Sequence, residues 1–151
     1  MYTYSIIVLK IARKINRNVD FPGFSKSFIR LSANPHRKLR FIFEDNTVQY
    51  HVSIGNNVIL LSGNHIGHRT VIEDDCWFIS HDVVSGFCRI GRGSFIGVNA
   101  TLGYSVILGE DTVFGAVAVI VRSLPEKGLV YVGGPARKLE KTSYEQFGVK
   151  E

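Results

Sequence analysis

From Ile42 to Ile120 every sixth residue is apolar, fourteen times without a slip. With 45% of the residues hydrophobic, one chosen phase would do this by chance on the order of 10⁻⁵ of the time, and the choice of phase and start loosens that by about a hundredfold. Neither the 3.6-residue turn of a helix nor the two-residue alternation of a strand sustains such a period. A coil of short strands joined by corners does. Two residues before each apolar position the side chain is mostly small, as in Val58, Thr70, Cys76, Cys88, Ser94 and Ala100, with Asn46, Asn64 and Asp82 as exceptions. One residue after it stand Gly55, Gly67, Gly91, Gly97, Gly103, Gly109 and Gly115. The expectation there is a backbone conformation that a side chain would hinder. Three hexapeptides then make a triangular coil of eighteen residues, and successive coils stack as parallel strands about 4.8 Å apart. The predicted fold is an all-β solenoid, a parallel β-helix over residues 42–123. It is preceded by a basic arm, 1–41, and followed by an exit loop and tail, 124–151.

Composition agrees with one globular domain: 151 residues can bury a core, and 11% aromatics is an ordinary share. No apolar run approaches a bilayer span, Ile6 to Leu9 being far too short, so a cytoplasmic location is expected. Cys76 and Cys88 lie twelve residues apart at small inward positions. They fall on different sides of the triangle and read as reduced core thiols.

Charge is concentrated at one end. Residues 1–41 carry nine basic side chains against Asp20 alone, a net +8, whereas the remainder, with nine basic and twelve acidic, is −3. The arm can pack and cap the first coil, meet phosphates, or touch an anionic membrane surface. No motif for nucleic-acid binding accompanies the charge. Tyr4, Ile7, Val8, Ile11 and Ile15 have helical spacing, so a helix is expected over residues 2–18, ending at Asp20 to Pro22.

Three segments carry more than the repeat: Gly63-Asn64-His65-Ile66-Gly67-His68, Ile79-Ser80-His81-Asp82-Val83-Val84-Ser85-Gly86, and Phe95-Ile96-Gly97-Val98-Asn99-Ala100-Thr101. With the closing Val132-Gly133-Gly134-Pro135-Ala136-Arg137, the stretch 41–139 resembles the hexapeptide-repeat acyltransferases. Within them it is similar to the branch that acetylates sialic acids and nucleotide-linked amino sugars. The resemblance implies a left-handed coil, against the usual right hand of parallel crossovers. It also implies acetyl-CoA as co-substrate, a sugar or nucleotide-sugar acceptor, and a homotrimer with sites between neighbouring solenoids. In such proteins a larger α/β domain usually precedes the solenoid and holds the nucleotide. The forty residues before this repeat are too few for a βαβαβ unit, a departure that bears on recognition of a nucleotide and not on acetyl transfer.

Acetyl transfer needs a base that takes the acceptor's proton, and imidazole titrates near the working pH. His65, His68 and His81 are the candidates. His68 lies two residues after Ile66, outside the coil, and aligns with the family's catalytic histidine. His65 and His81, sixteen residues apart, are expected near one face on adjacent coils, at about 8 Å by strand spacing. The carboxylate that usually follows the family's histidine is Arg69 here, and its second histidine falls at Trp77. His81, Glu73 or Asp74 is then the expected substitute. The resemblance assigns Gly97, Val98, Gly115 and Ala116 to the pantetheine, where small residues allow a ligand to reach backbone amides, and Arg137 to a CoA phosphate. Two other readings stay open. A γ-type carbonic anhydrase shares the fold, yet its zinc histidines are about five residues apart, and five after His68 is Glu73. A degenerate, non-catalytic scaffold fits the changes at Arg69 and Trp77.

Overall fold

The computed structural model describes residues 40–148. The expected helix over 2–18, and all of the basic arm but Arg40 and Phe41, lie outside the described residues. The rest is almost wholly β, and no described helix is long and apolar enough to cross a membrane.

Two-residue strands stack into three parallel sheets, one for each side of a triangle. The first sheet begins with Arg40–Ile42 and Val58–Leu60 and passes through Trp77–Phe78, Phe95–Ile96 and Val113–Phe114. It ends with Leu129–Val132, against which Arg137–Thr142 returns antiparallel. Thr47–Val48, His65–Ile66, Val83–Val84, Thr101–Leu102 and Val119–Ile120 form the second sheet. Ser53–Ile54, Val71–Ile72, Arg89–Ile90 and Ile107–Leu108 form the third. Register follows the eighteen-residue coil, with His65 beside Val83 and Phe95 beside Val113. The last coil is a residue shorter, Val113 pairing with Val130.

The sixth-residue side chains fill the axis: Leu60, Ile66, Phe78, Val84, Ile96 and Phe114 are fully buried. Between them sit the small inward residues, including Cys76 and Cys88, both free thiols. Burial pushes the Cys76 thiol up to about 12, so it stays protonated and unreactive.

The corners work differently from the expectation. Left-handed backbone does recur every sixth residue, but three positions after the apolar one, from Asp45 (φ 58°) through Gly63 (φ 77°) and His81 (φ 60°) to Val117 (φ 59°). The glycines one position after it do not have positive φ. They are small because coils touch there: a Cβ on Gly67 would lie 2.5 Å from the carbonyl carbon of Ser85, and one on Gly97 would lie 2.7 Å from the amide of Ala116. Close approach of stacked backbones, not conformational freedom, selects glycine at these positions.

Candidate active site

Because coils stack every eighteen residues, each corner carries a row of side chains along the solenoid. The corner after the second sheet carries Tyr50, His68, Gly86, Tyr104 and Arg122. His68 is half-buried in this row. Tyr50 stacks on its ring at 5.3 Å and 11°, Phe87 meets it edge-on at 5.3 Å, and Tyr104 lies 6.3 Å away. Tyr104 is two coils beyond and comes this close because Gly86 has no side chain. A Cβ on Gly86 would stand 2.8 Å from the Nε2 of His68. Arg69 turns outward and lays its guanidinium over Phe87 at 5.4 Å.

The partner of His68 is a residue that sequence reasoning missed. Gln49 Oε1 accepts a hydrogen bond from the His68 main-chain N–H at 2.9 Å and lies 3.0 Å from His68 Nδ1. Gln49 Nε2 lies 3.3 Å from His65 Nε2. One amide therefore joins His65 and His68. The signal was the register itself: eighteen residues after Gln49 is Gly67, so Gln49 stacks beside His68. The other expected partners are engaged elsewhere. Glu73 pairs with Arg89 at 2.6 Å, and Asp74 accepts from the Asn56 amide at 2.6 Å. Trp77 packs on the first sheet against Phe95.

His81 lies on a different edge. It is exposed at the corner between the first and second sheets, where its ring covers Gly63; a Cβ there would lie 2.5 Å from His81 Nδ1. It makes no hydrogen bond or ring contact with His65 or His68 among the described residues. His65 is joined to His68 through Gln49, while His81 sits on the adjacent coil above Gly63. The reason is geometric: sixteen residues is one coil less two, which puts His81 back at the corner above Gly63 while His65 has moved onto the sheet. Gly97, Val98, Gly115 and Ala116 belong to the His81 corner, one and two coils further on. The candidate residues thus occupy two rows, at the two edges of the second sheet.

Further along the His68 row is a cavity of about 350 Å³. Arg122 and Arg137 line it, with Val121, Leu124, Pro135 and Ala136. Arg122, a second cation beside Arg137, also escaped sequence reasoning. Three coils separate it from His68, about 14 Å by strand spacing. Among the described residues, no three His, Cys, Asp or Glu side chains converge as a metal-binding group.

No protein-family model matches the chain. Solved structures do. PerB from Caulobacter crescentus, in complex with CoA and GDP-perosamine, is 27% identical with a TM-score of 0.53, over 68% of this chain and 57% of PerB. The soybean serine acetyltransferase apoenzyme is 27% identical with a TM-score of 0.54, over 59% of this chain and 40% of that one. Galactoside acetyltransferase in complex with coenzyme A is 18% identical with a TM-score of 0.59, over 70% of this chain and 66% of that one, which is a likeness of fold. The chain spans less than two thirds of PerB's length.

Proposed function

We propose that this chain, which has the fold of the hexapeptide-repeat, left-handed β-helix acetyltransferases, transfers acetyl from acetyl-CoA to a hydroxyl or amine of a sugar, for surface polysaccharide or glycoconjugate synthesis, with His68 as general base. The observation that carries the reading is the His68 row: an imidazole oriented by Gln49 and seated over Gly86, with two arginines at a cavity about 14 Å along the same edge. That is the layout a thioester and its phosphates require of one extended ligand. PerB, crystallised with CoA and a nucleotide-linked sugar, supports the co-substrate and the acceptor class.

In this reading CoA runs along the corner with its thioester at His68 and its phosphates at Arg122 and Arg137. Gly97, Val98, Gly115 and Ala116 come from the facing edge of a second copy, because within one chain they are separated from His68 by the width of the second sheet. A homotrimer supplies such a facing edge at each of three interfaces. The acceptor's proton passes to His68 Nε2 as its oxygen or nitrogen attacks the thioester carbonyl. Backbone amides hold the oxyanion. The C–S bond then breaks, and the imidazolium returns the proton to the departing thiolate, giving acetylated sugar and free CoA.

Replacing His68 with Asn should lower kcat by roughly 10²–10⁴ while acetyl-CoA affinity stays nearly intact. The test is thiol release and mass spectrometry across a panel of free and nucleotide-linked sugars. Turnover at the wild-type rate would remove His68 from the role and make His81 the next to try; no turnover with any acceptor by the wild-type protein would favour the non-catalytic scaffold.

A further inference from the structure

We infer, on the reading of His68 as the base, that Gln49 is its positioning residue: the Gln49 carbonyl oxygen holds His68 as the Nδ1–H tautomer and leaves the Nε2 lone pair for the acceptor's proton. The assignment follows from what each atom can donate. A main-chain N–H only donates, so the Gln49 atom 2.9 Å from the His68 amide is the side-chain oxygen, and the orientation of this amide is settled. That same oxygen lies 3.0 Å from His68 Nδ1. It has no proton to give, so Nδ1 must carry one. A neutral imidazole has a single N–H, which leaves Nε2 unprotonated.

The far end of the amide agrees. Its nitrogen donates toward His65 Nε2 at 3.3 Å, so His65 accepts there and keeps its own proton on Nδ1. The chain His65, Gln49, His68 therefore has one consistent polarity, with Gln49 anchored at both ends. Tyr50 and Phe87 hold the imidazole plane against rotation, and the freed edge, Cε1 and Nε2, lies over Gly86, where only a residue without a Cβ leaves it room. Gln49 does with a neutral amide what a carboxylate does in a histidine–acid pair, fixing tautomer and orientation but adding no negative charge.

The test reads the tautomer directly and separately from turnover. In protein labelled with ¹⁵N-histidine, at about pH 8.5 where imidazole is neutral, His68, assigned through the His68→Asn variant, should be the Nδ1–H form. In Gln49→Leu it should shift toward the Nε2–H form or a mixture, with the remaining amide spectrum retained. Gln49→Leu should also lower kcat by roughly 10- to 100-fold, part of what a positioned base supplies, at unchanged KM for acetyl-CoA. Gln49→Glu keeps the acceptor and adds a charge. It should preserve the Nδ1–H form and move the protonation of His68, and the acid limb of kcat/KM, to higher pH. Wild-type His68 found as the Nε2–H form would overturn the proposal. So would a Gln49→Leu protein with unchanged tautomer and kcat, or a Gln49→Glu protein whose His68 titration does not move. Absence of acetyl transfer with the expected tautomers would instead overturn the reading of His68 as the base, so the two failures are distinguishable.

Discussion

Asp82 occupies a column of inward side chains whose neighbours below are amides. Asn46 Oδ1 accepts from the Asn64 amide at 2.9 Å, Asn64 Oδ1 from the Asp82 amide at 2.8 Å, and Asp82 Oδ1 from the Ala100 amide at 2.8 Å. Each asparagine also donates to the carbonyl three residues earlier, Asn46 to Phe43 at 3.0 Å and Asn64 to Leu61 at 2.6 Å. Asp82 offers a second oxygen instead, buried and without a hydrogen-bond partner. Burial pushes its carboxyl from 3.8 up to about 7. A raised folded-state value means that the native state holds this proton more tightly than the unfolded chain. The stability from this group is fully present below about pH 4 and is lost as the pH rises through about 7. Asp82→Asn supplies the missing donor at every pH. It should stabilise the protein by about 1–3 kcal/mol at pH 8, and the gain should shrink toward zero near pH 4, as read by urea unfolding at both. An equal gain at the two pH values would refute the titration. That position 82 faces inward could be read from the sequence. That it continues an amide ladder could not, because the ladder exists only between coils.

Each hexapeptide turns its corner by a left-handed residue three positions after the apolar one, and nearly any side chain is found there, from Asp45 to Phe87 to Val117. The sequence therefore shows no composition signal at the position where the backbone is most constrained. The glycine signal lies at the neighbouring position and reports something else, the contact between coils. Two substitutions separate these causes. Gly67→Ala forces a Cβ to within 2.5 Å of the next coil's backbone and should cost about 1–3 kcal/mol, whereas Gly103→Ala, where the nearest atom is 3.3 Å away, should cost less. Val117 is a β-branched residue at φ 59° and is 61% exposed, so little packing opposes a change. Val117→Asn should stabilise by about 1 kcal/mol, since asparagine tolerates this region and valine does not. Thermal unfolding of the three variants decides between the accounts; a Gly67→Ala protein as stable as wild type would remove the close-approach explanation.

In the whole molecule, the two candidate rows flank one face, and exposed apolar side chains lie along it: Tyr50 (62%), Val83 (43%), Tyr104 (62%) and Val121 (66%). If neighbouring solenoids meet there, as the proposed function requires, the chain should sediment at about three times its 16.9 kDa mass. Tyr104→Glu, in the middle of the row, should weaken that assembly by burying a charge. A stable monomer that still transfers acetyl would refute an interfacial site. The solenoid, its eighteen-residue coil and the place of His68 outside the coil were determined by the sequence alone, because a period of six has one compact solution and every repeat reports it again. The link from His65 through Gln49 to His68, the separation of His81 onto another edge and the Arg122–Arg137 cavity were decided only by the tertiary structure. They depend on which residues stack between coils and how the final, shortened coil closes, and neither leaves a trace in local composition.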